Sequence, residues 1–232
     1  MKNIYYILSI VTISLILACS NTTKSQETSV AVKNNTVTEK ETAEGWIQLF
    51  NGKNLEGWEV KINGFASGEN AFNTFRVKNN SLVVSYENYD HFKDYFGHIF
   101  YKNSYSNYRF RLDYRFVGEQ CKGGEGWATK NSGVMIHSQP PESMEKDQEF
   151  PVSIEVQLLG GIEKPWKRPT ANLCTPGTHV NINNKLVTTH CISSSSETYY
   201  GEEWVNLEIE VHNDSIIKHY INSKKVFPIL IR

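Results

Sequence analysis

Tyr108-Arg109-Phe110-Arg111-Leu112-Asp113-Tyr114-Arg115-Phe116 alternates without a break, apolar at even positions and charged at odd ones. A period of two over such a run marks a strand with one face in a core and the other in solvent. The same pattern returns in Val152–Leu158, with Val152, Ile154, Val156 and Leu158 on one side and Ser153, Glu155 and Gln157 on the other. It returns again in Trp204–His212, where Val205, Leu207, Ile209 and Val211 oppose Asn206, Glu208, Glu210 and His212. Three such strands in one chain already place the fold in the all-β class.

Shorter candidate strands are Ile47–Phe50, Trp58–Ile62, Phe75–Lys78, Leu82–Tyr86, His98–Tyr101, Gly133–His137, Leu186–Cys191, Ile216–Ile221 and Val226–Ile231. Between them stand Asn51-Gly52, Asn79-Asn80, Asn183-Asn184 and Asn213-Asp214, residues that tolerate the left-handed backbone of tight turns. No stretch of helical length carries a helical stripe. About a dozen strands at this spacing predict a jelly-roll sandwich of two antiparallel sheets, whose outer sheet face can form a groove. The chain has 232 residues, with 24 Lys+Arg against 25 Asp+Glu. This near-neutral balance offers no electrostatic case for binding nucleic acid.

Residues 1–18 open with Lys2, run apolar from Ile4 to Leu17, and end Leu17-Ala18-Cys19. That resembles a bacterial lipoprotein signal, with Cys19 the expected lipidation site and new N-terminus; the alternative is an ordinary secretory signal that happens to hold a cysteine. The expectation is a protein of the bacterial cell envelope, on its periplasmic or outer-membrane face, held to a membrane by a lipid anchor. Residues 19–44 are rich in Asn, Thr, Ser, Lys and Glu, and read as a flexible tether. The folded domain is expected over 45–232.

Two clusters can carry chemistry. Met135 and His137 lie opposite Val134 and Ile136 in parity, and Glu155 and Gln157 share the polar side of their strand. Neighbouring strands would bring an imidazole, a carboxylate and an amide to one spot; otherwise these are solvated positions on an outer face. The second cluster runs Thr170-Ala171-Asn172-Leu173-Cys174-Thr175-Pro176-Gly177-Thr178-His179, then Thr188-Thr189-His190-Cys191. It reads as polar, irregular rim loops. Cys174 and Cys191 have three options: a disulfide, which export favours, two free thiols, or metal thiolates with His179 and His190. Cys121 is left over. His91, His98, His212 and His219 read as surface or half-buried strand residues.

Gly45-Trp46-Ile47-Gln48-Leu49-Phe50-Asn51-Gly52-Lys53-Asn54-Leu55-Glu56-Gly57-Trp58 resembles the opening of the 3-keto-disaccharide hydrolase domain. The strand Tyr108–Phe116, Asn131-Ser132-Gly133-Val134 and Ile154-Glu155-Val156-Gln157-Leu158-Leu159-Gly160-Gly161 follow in that family's order. The resemblance implies a concanavalin-like jelly roll and a small carbohydrate substrate oxidised to a ketone at C3. It implies cleavage of the glycosidic bond by elimination and hydration, or net hydrolysis. A ketone at C3 acidifies the C2 proton, and the resulting enolate expels the group at C1. The site then needs a base, a donor or cation for the enolate oxygen, and a proton for the leaving oxygen.

On this resemblance Glu155 or His137 is the base or a metal ligand, and His190 or His179 the acid or a further ligand. Gln157 orients a sugar hydroxyl, and Trp127 or Trp166 stacks on a sugar ring. A divalent metal on the ketone is a candidate cofactor. The alternative is a non-catalytic carbohydrate-binding jelly roll using the same groove. The sequence departs from the family at His137, where many members carry Arg, and beyond Val226, where a further hairpin and strand are expected. The chain therefore reads as C-terminally truncated.

Overall fold

The computed structural model describes residues 36–230. The signal segment, Cys19 and the tether as far as residue 35 lie outside the described residues. The periodic stretches become the strands of two four-stranded antiparallel sheets. One has the order β11-β8-β7-β6 and the other β14-β13-β12-β5. In the first, β6 is Asn131–Ile136, β7 Ile154–Leu159, β8 Asn172–Cys174 and β11 Cys191–Ile192. In the second, β5 is Asn107–Tyr114, β12 Val205–His212, β13 Ile216–Ile221 and β14 Lys224–Leu230.

Burial follows parity. Ile154, Val156 and Leu158 of β7, and Val205, Leu207, Ile209 and Val211 of β12, belong to one core that also takes Leu173, Ile217 and Ile221. The even-numbered residues of β5, Tyr108 to Tyr114, pack against it, while Arg109 and Arg111 point outward to Glu208 and Glu41. Burying a Val, Leu or Ile is worth about 1.5–3 kcal/mol, so this alternating set dominates the stability of the sandwich.

A smaller core supports the region before β5. It joins Val60 and Ile62 of β1 (Trp58–Ile62) to Ala71 and to Phe75 of β2 (Phe75–Lys78). β1 pairs with β4 (Gly97–Tyr101), and β2 forms a hairpin with β3 (Ser81–Val84). The last pair is β9 (Val180–Ile182) with β10 (Lys185–Val187).

The structure departs from the sequence expectations at several points. Val152 is exposed and Ser153 buried, so the alternation of β7 begins at Ile154, and the expected strand Leu186–Cys191 divides between β10 and β11 of two different sheets. Ile47–Phe50 is not a strand: it has no partner, and Asn51 instead turns the chain by accepting the amides of Lys53 and Asn54. The end of the expected tether carries a five-residue helix, α1 (Glu39–Ala43), opened by a reciprocal Thr38–Glu41 capping box. Glu41 reaches Arg111 at 2.6 Å, and the Arg111 guanidinium lies 4.2 Å from the Trp46 ring centroid. Asn172–Cys174 is no rim loop but an interior strand of its sheet, with all three residues buried. His219 is fully buried, its Nδ1 2.8 Å from the carbonyl of Ala171 and its ring stacked on Phe227.

Candidate active site

The outer face of the first sheet is built from two register rows. In one, Met135 pairs with Glu155, Glu155 with Cys174, and Cys174 with Cys191. In the next, Gly133 pairs with Gln157 and Gln157 with Asn172. Residues in register point to the same side of a sheet, and successive same-side residues lie about 7 Å apart. One hexose-sized area of sheet thus presents a carboxyl from Glu155, an amide from Gln157 and a second amide from Asn172.

Cys174 and Cys191 form a disulfide. Of the three options left open for them, free thiols and metal thiolates therefore drop out, and the bridge becomes a wall beside Glu155. On the other side Met135 stands opposite Glu155, its sulfur 3.3 Å from the Ser153 hydroxyl. Beneath, the carboxyl leans over Gly133, where an added Cβ would meet Glu155 Oε1 at 2.3 Å and Cγ at 2.7 Å. The missing side chain at Gly133 is the space the carboxyl occupies.

Glu155 makes no hydrogen bond or ion pair with any described residue, yet neither oxygen is sealed from solvent. Burial pushes its carboxyl up from 4.5 to about 7. Nothing nearby compensates the charge, so water loss alone sets the shift. A recessed, solvent-reachable carboxyl without a partner among the described residues, pushed up to about 7, makes Glu155 a candidate for proton transfer.

Gln157 is held in the opposite way. Asn172 Nδ2 donates to Gln157 Oε1 at 3.0 Å and to the Pro169 carbonyl, while Asn172 Oδ1 accepts the Ser194 amide at 2.9 Å. A carbonyl on one side and an N–H on the other leave Asn172 one consistent amide orientation. Gln157 must then show its oxygen to Asn172. Its Nε2, with no partner among the described residues, is left to donate outward.

The chain belongs to the 3-keto-alpha-glucoside-1,2-lyase-like domain family. The family model matches residues 45–229, nearly the whole described sandwich. No curated protein matches the chain.

Of the residues singled out from the sequence, Glu155 and Gln157 share this face. His137 follows the end of β6 with φ of 49°, exposed and without a hydrogen bond to a described residue. His179 and His190 are exposed as well, and the His190 carbonyl accepts the Thr175 amide. No hydrogen bond or ion pair joins any of the three imidazoles to Glu155 among the described residues. Trp127 is 54% exposed and stacks on Phe96 with centroids 5.5 Å apart, and Trp166 is 74% exposed. Phe150 lies 4.8 Å from Phe96, so the loops leading into β6 and β7 meet in an aromatic wall outside the core.

Arg168, which sequence reasoning missed, fastens that wall. Its guanidinium donates to the carbonyls of Trp127, Thr129, Lys130 and Gly160. Among the described residues no three His, Cys, Asp or Glu side chains converge on a point. The donor set as it stands, one carboxyl beside two amides bonded to each other, does not fit a divalent ion.

Proposed function

We propose that this chain cleaves 3-keto-glycosides by elimination, with Glu155 as the base at C2. The observation that carries the reading is the Glu155 carboxyl: recessed, unpaired, and held near neutrality by burial alone. A base whose affinity for protons matches the working pH is both populated as carboxylate and strong enough to take a proton made acidic by an adjacent ketone. The electron pair left at C2 moves into a C2–C3 double bond, and the negative charge goes to the C3 oxygen. Gln157 Nε2, on the same face with its hydrogens unused, is our candidate donor to that oxygen. The enolate then reforms the ketone and expels the oxygen at C1, giving a 1,2-unsaturated 3-keto sugar and an alcohol. Glu155, now protonated, supplies the proton to the leaving oxygen and returns to its starting state. Addition of water across the new double bond turns elimination into net hydrolysis.

A binding module without chemistry would have no use for a buried carboxyl lacking a partner. Such a group opposes folding above neutrality, and a glycan platform needs only aromatic rings and hydrogen-bonding groups. Trp127 is our candidate for stacking on the sugar or on the group attached at C1. We further propose that the protein works in the cell envelope on a lipid anchor at Cys19. The Cys174–Cys191 disulfide supports an oxidising compartment. Replacing Cys19 by Ser should move the protein from the membrane to the soluble fraction; unchanged membrane retention would overturn the anchor.

The test of activity uses the full chain in detergent, 3-keto-trehalose and an aryl 3-keto-glucoside, with and without EDTA. The expected result is release of the C1 alcohol together with a conjugated ketone absorbing in the ultraviolet. Glu155→Gln should lower the rate by roughly 10²–10⁴-fold, the usual contribution of a positioned base. A folded wild-type protein that turns over neither substrate in either condition overturns the proposal.

A further inference from the structure

We infer that Asn172 is a positioning residue that makes Gln157 a pure hydrogen-bond donor, and so selects a carbonyl over a hydroxyl at the sugar carbon it faces. The inference rests on the reading of this face as a keto-sugar site. A primary amide on an open sheet face can present either its oxygen or its NH₂, since the two ends are nearly the same size. A sugar hydroxyl satisfies either, because it both donates and accepts. A ketone accepts only. A face that distinguishes the two must therefore fix which end of the amide looks outward.

The chain fixes it through a relay of three hydrogen bonds, two of them to the backbone. Asn172 is 5% exposed, and its two amide ends are set by fixed groups: the Pro169 carbonyl at 3.0 Å and the Ser194 amide at 2.9 Å. The second Nδ2 hydrogen goes to Gln157 Oε1 at 3.0 Å, which removes that oxygen from the sugar side. What remains outward is Nε2 with its hydrogens. Neither the Pro169 carbonyl nor the Ser194 amide can reverse its polarity, so the orientation passes from backbone to Asn172 and from Asn172 to Gln157. Glu155, one row away, does not favour a hydroxyl either when protonated and in need of an acceptor. Its neutral form at moderately acid pH donates, in the same sense as Gln157.

The experiment compares binding of two sugars without a glycosidic oxygen at C1, 1,5-anhydroglucitol and its 3-keto derivative. Affinities are measured by titration calorimetry at pH 5.5, where Glu155 is neutral, for the wild type, Asn172→Asp and Gln157→Glu, each checked for folding by thermal melting. In Asn172→Asp the carboxylate still accepts the Ser194 amide but offers no hydrogen to Gln157. The amide turns its NH₂ inward and its oxygen outward. In Gln157→Glu one oxygen accepts from Asn172 and the other faces the sugar, which reverses the polarity without touching Asn172.

The wild type should bind the ketone more tightly than the alcohol, and both variants should lower that ratio by about tenfold or more, with turnover of the 3-keto-glycoside falling in kcat more than in KM. An Asn172→Asp protein that does not fold leaves the Gln157→Glu comparison to decide. A wild type that prefers the ketone, with a ratio unchanged in the folded variants, overturns the relay and leaves the lyase reading standing. A wild type that binds neither sugar and turns over no 3-keto-glycoside overturns that reading and the relay with it.

Discussion

Glu155→Gln should make the protein more stable as the pH rises, even as it removes activity. The carboxyl binds its proton with a value of about 7 in the folded chain against 4.5 when unfolded. A carboxyl raised by folding contributes fully below the unfolded value, and its contribution is lost as pH climbs through the folded one. At about 1.4 kcal/mol per tenfold change in proton affinity, the wild type gives up about 3 kcal/mol in all, of which about 2.5 falls between pH 5 and pH 8. That is a sizeable part of the 5–15 kcal/mol that typically holds a domain together.

The glutamine variant has no proton to lose. Its stability relative to wild type should therefore grow by about 2.5 kcal/mol between pH 5 and pH 8. The assay is urea unfolding of both proteins at pH 5, 6, 7 and 8 with the disulfide intact. Other titrating groups are common to the two proteins and cancel in the difference. An unsatisfied glutamine amide would lower the variant equally at every pH and move the offset, not the slope. A difference that stays constant within about 0.5 kcal/mol would refute the claim that burial alone sets the proton affinity of Glu155. The same titration should appear as the acid limb of kcat/KM, rising through about pH 7 and absent in the residual rate of the variant.

Gly133→Ala places a methyl within 2.3 Å of Glu155 Oε1 and must swing the whole carboxyl aside. With no positive φ to strain, it should cost less than about 1 kcal/mol by urea unfolding but about 10²-fold in kcat/KM. Replacing both Cys174 and Cys191 by Ala opens a bridge of sequence separation 17. It should cost about 3 kcal/mol, read from the urea midpoint, and shift the acid limb of the rate profile downward as water reaches Glu155. His219 is buried, and its proton affinity is lowered to about 4. It should stay neutral from pH 8 to pH 5 by NMR, while stability present above pH 6.5 is lost as the pH falls towards 4; an imidazole titrating near 6.5 would contradict its burial.

How much of this was legible depends on which residues one asks about. β5, β7 and β12 announce themselves because parity and burial coincide along a single strand. His219 carried the same signal: it shares parity with Ile217 and Ile221, all three buried, and its polarity alone made it read as a surface or half-buried residue. Thr38-x-x-Glu41 likewise spelled a helix start inside what composition labelled tether. β8 was not legible. Thr170, Asn172 and Thr175 look like loop residues, and only the finished fold supplies the groups that satisfy them, such as the Tyr114 hydroxyl at 2.7 Å from Thr170 Oγ1. Pairing between strands far apart in sequence is absent from any local pattern. So Glu155 and Gln157 could be placed on one side of β7, but Cys174, Asn172 and the space over Gly133 could not be placed beside them.

Those unreadable neighbours are what separate the two readable residues. Glu155 and Gln157 are similar in size and sit two residues apart on one strand, so sequence treats them almost as equivalents. The fold gives Glu155 a disulfide wall, a glycine floor and no partner among the described residues. It gives Gln157 a fully bonded neighbour and one outward orientation, which leaves nothing free to turn. A base has to change state during a reaction and a donor must not. Because one property rests on lost water and the other on a chain of hydrogen bonds, they should fail independently. In a double-mutant cycle, Gly133→Ala should move the pH limb and Asn172→Ala, which adds no charge beside Glu155, the ketone preference, with each readout unaffected by the other substitution to within about 0.5 kcal/mol. Coupling beyond that between the two readouts would mean that the carboxyl and the amide form one network, and that Glu155 is not unpartnered when sugar is bound.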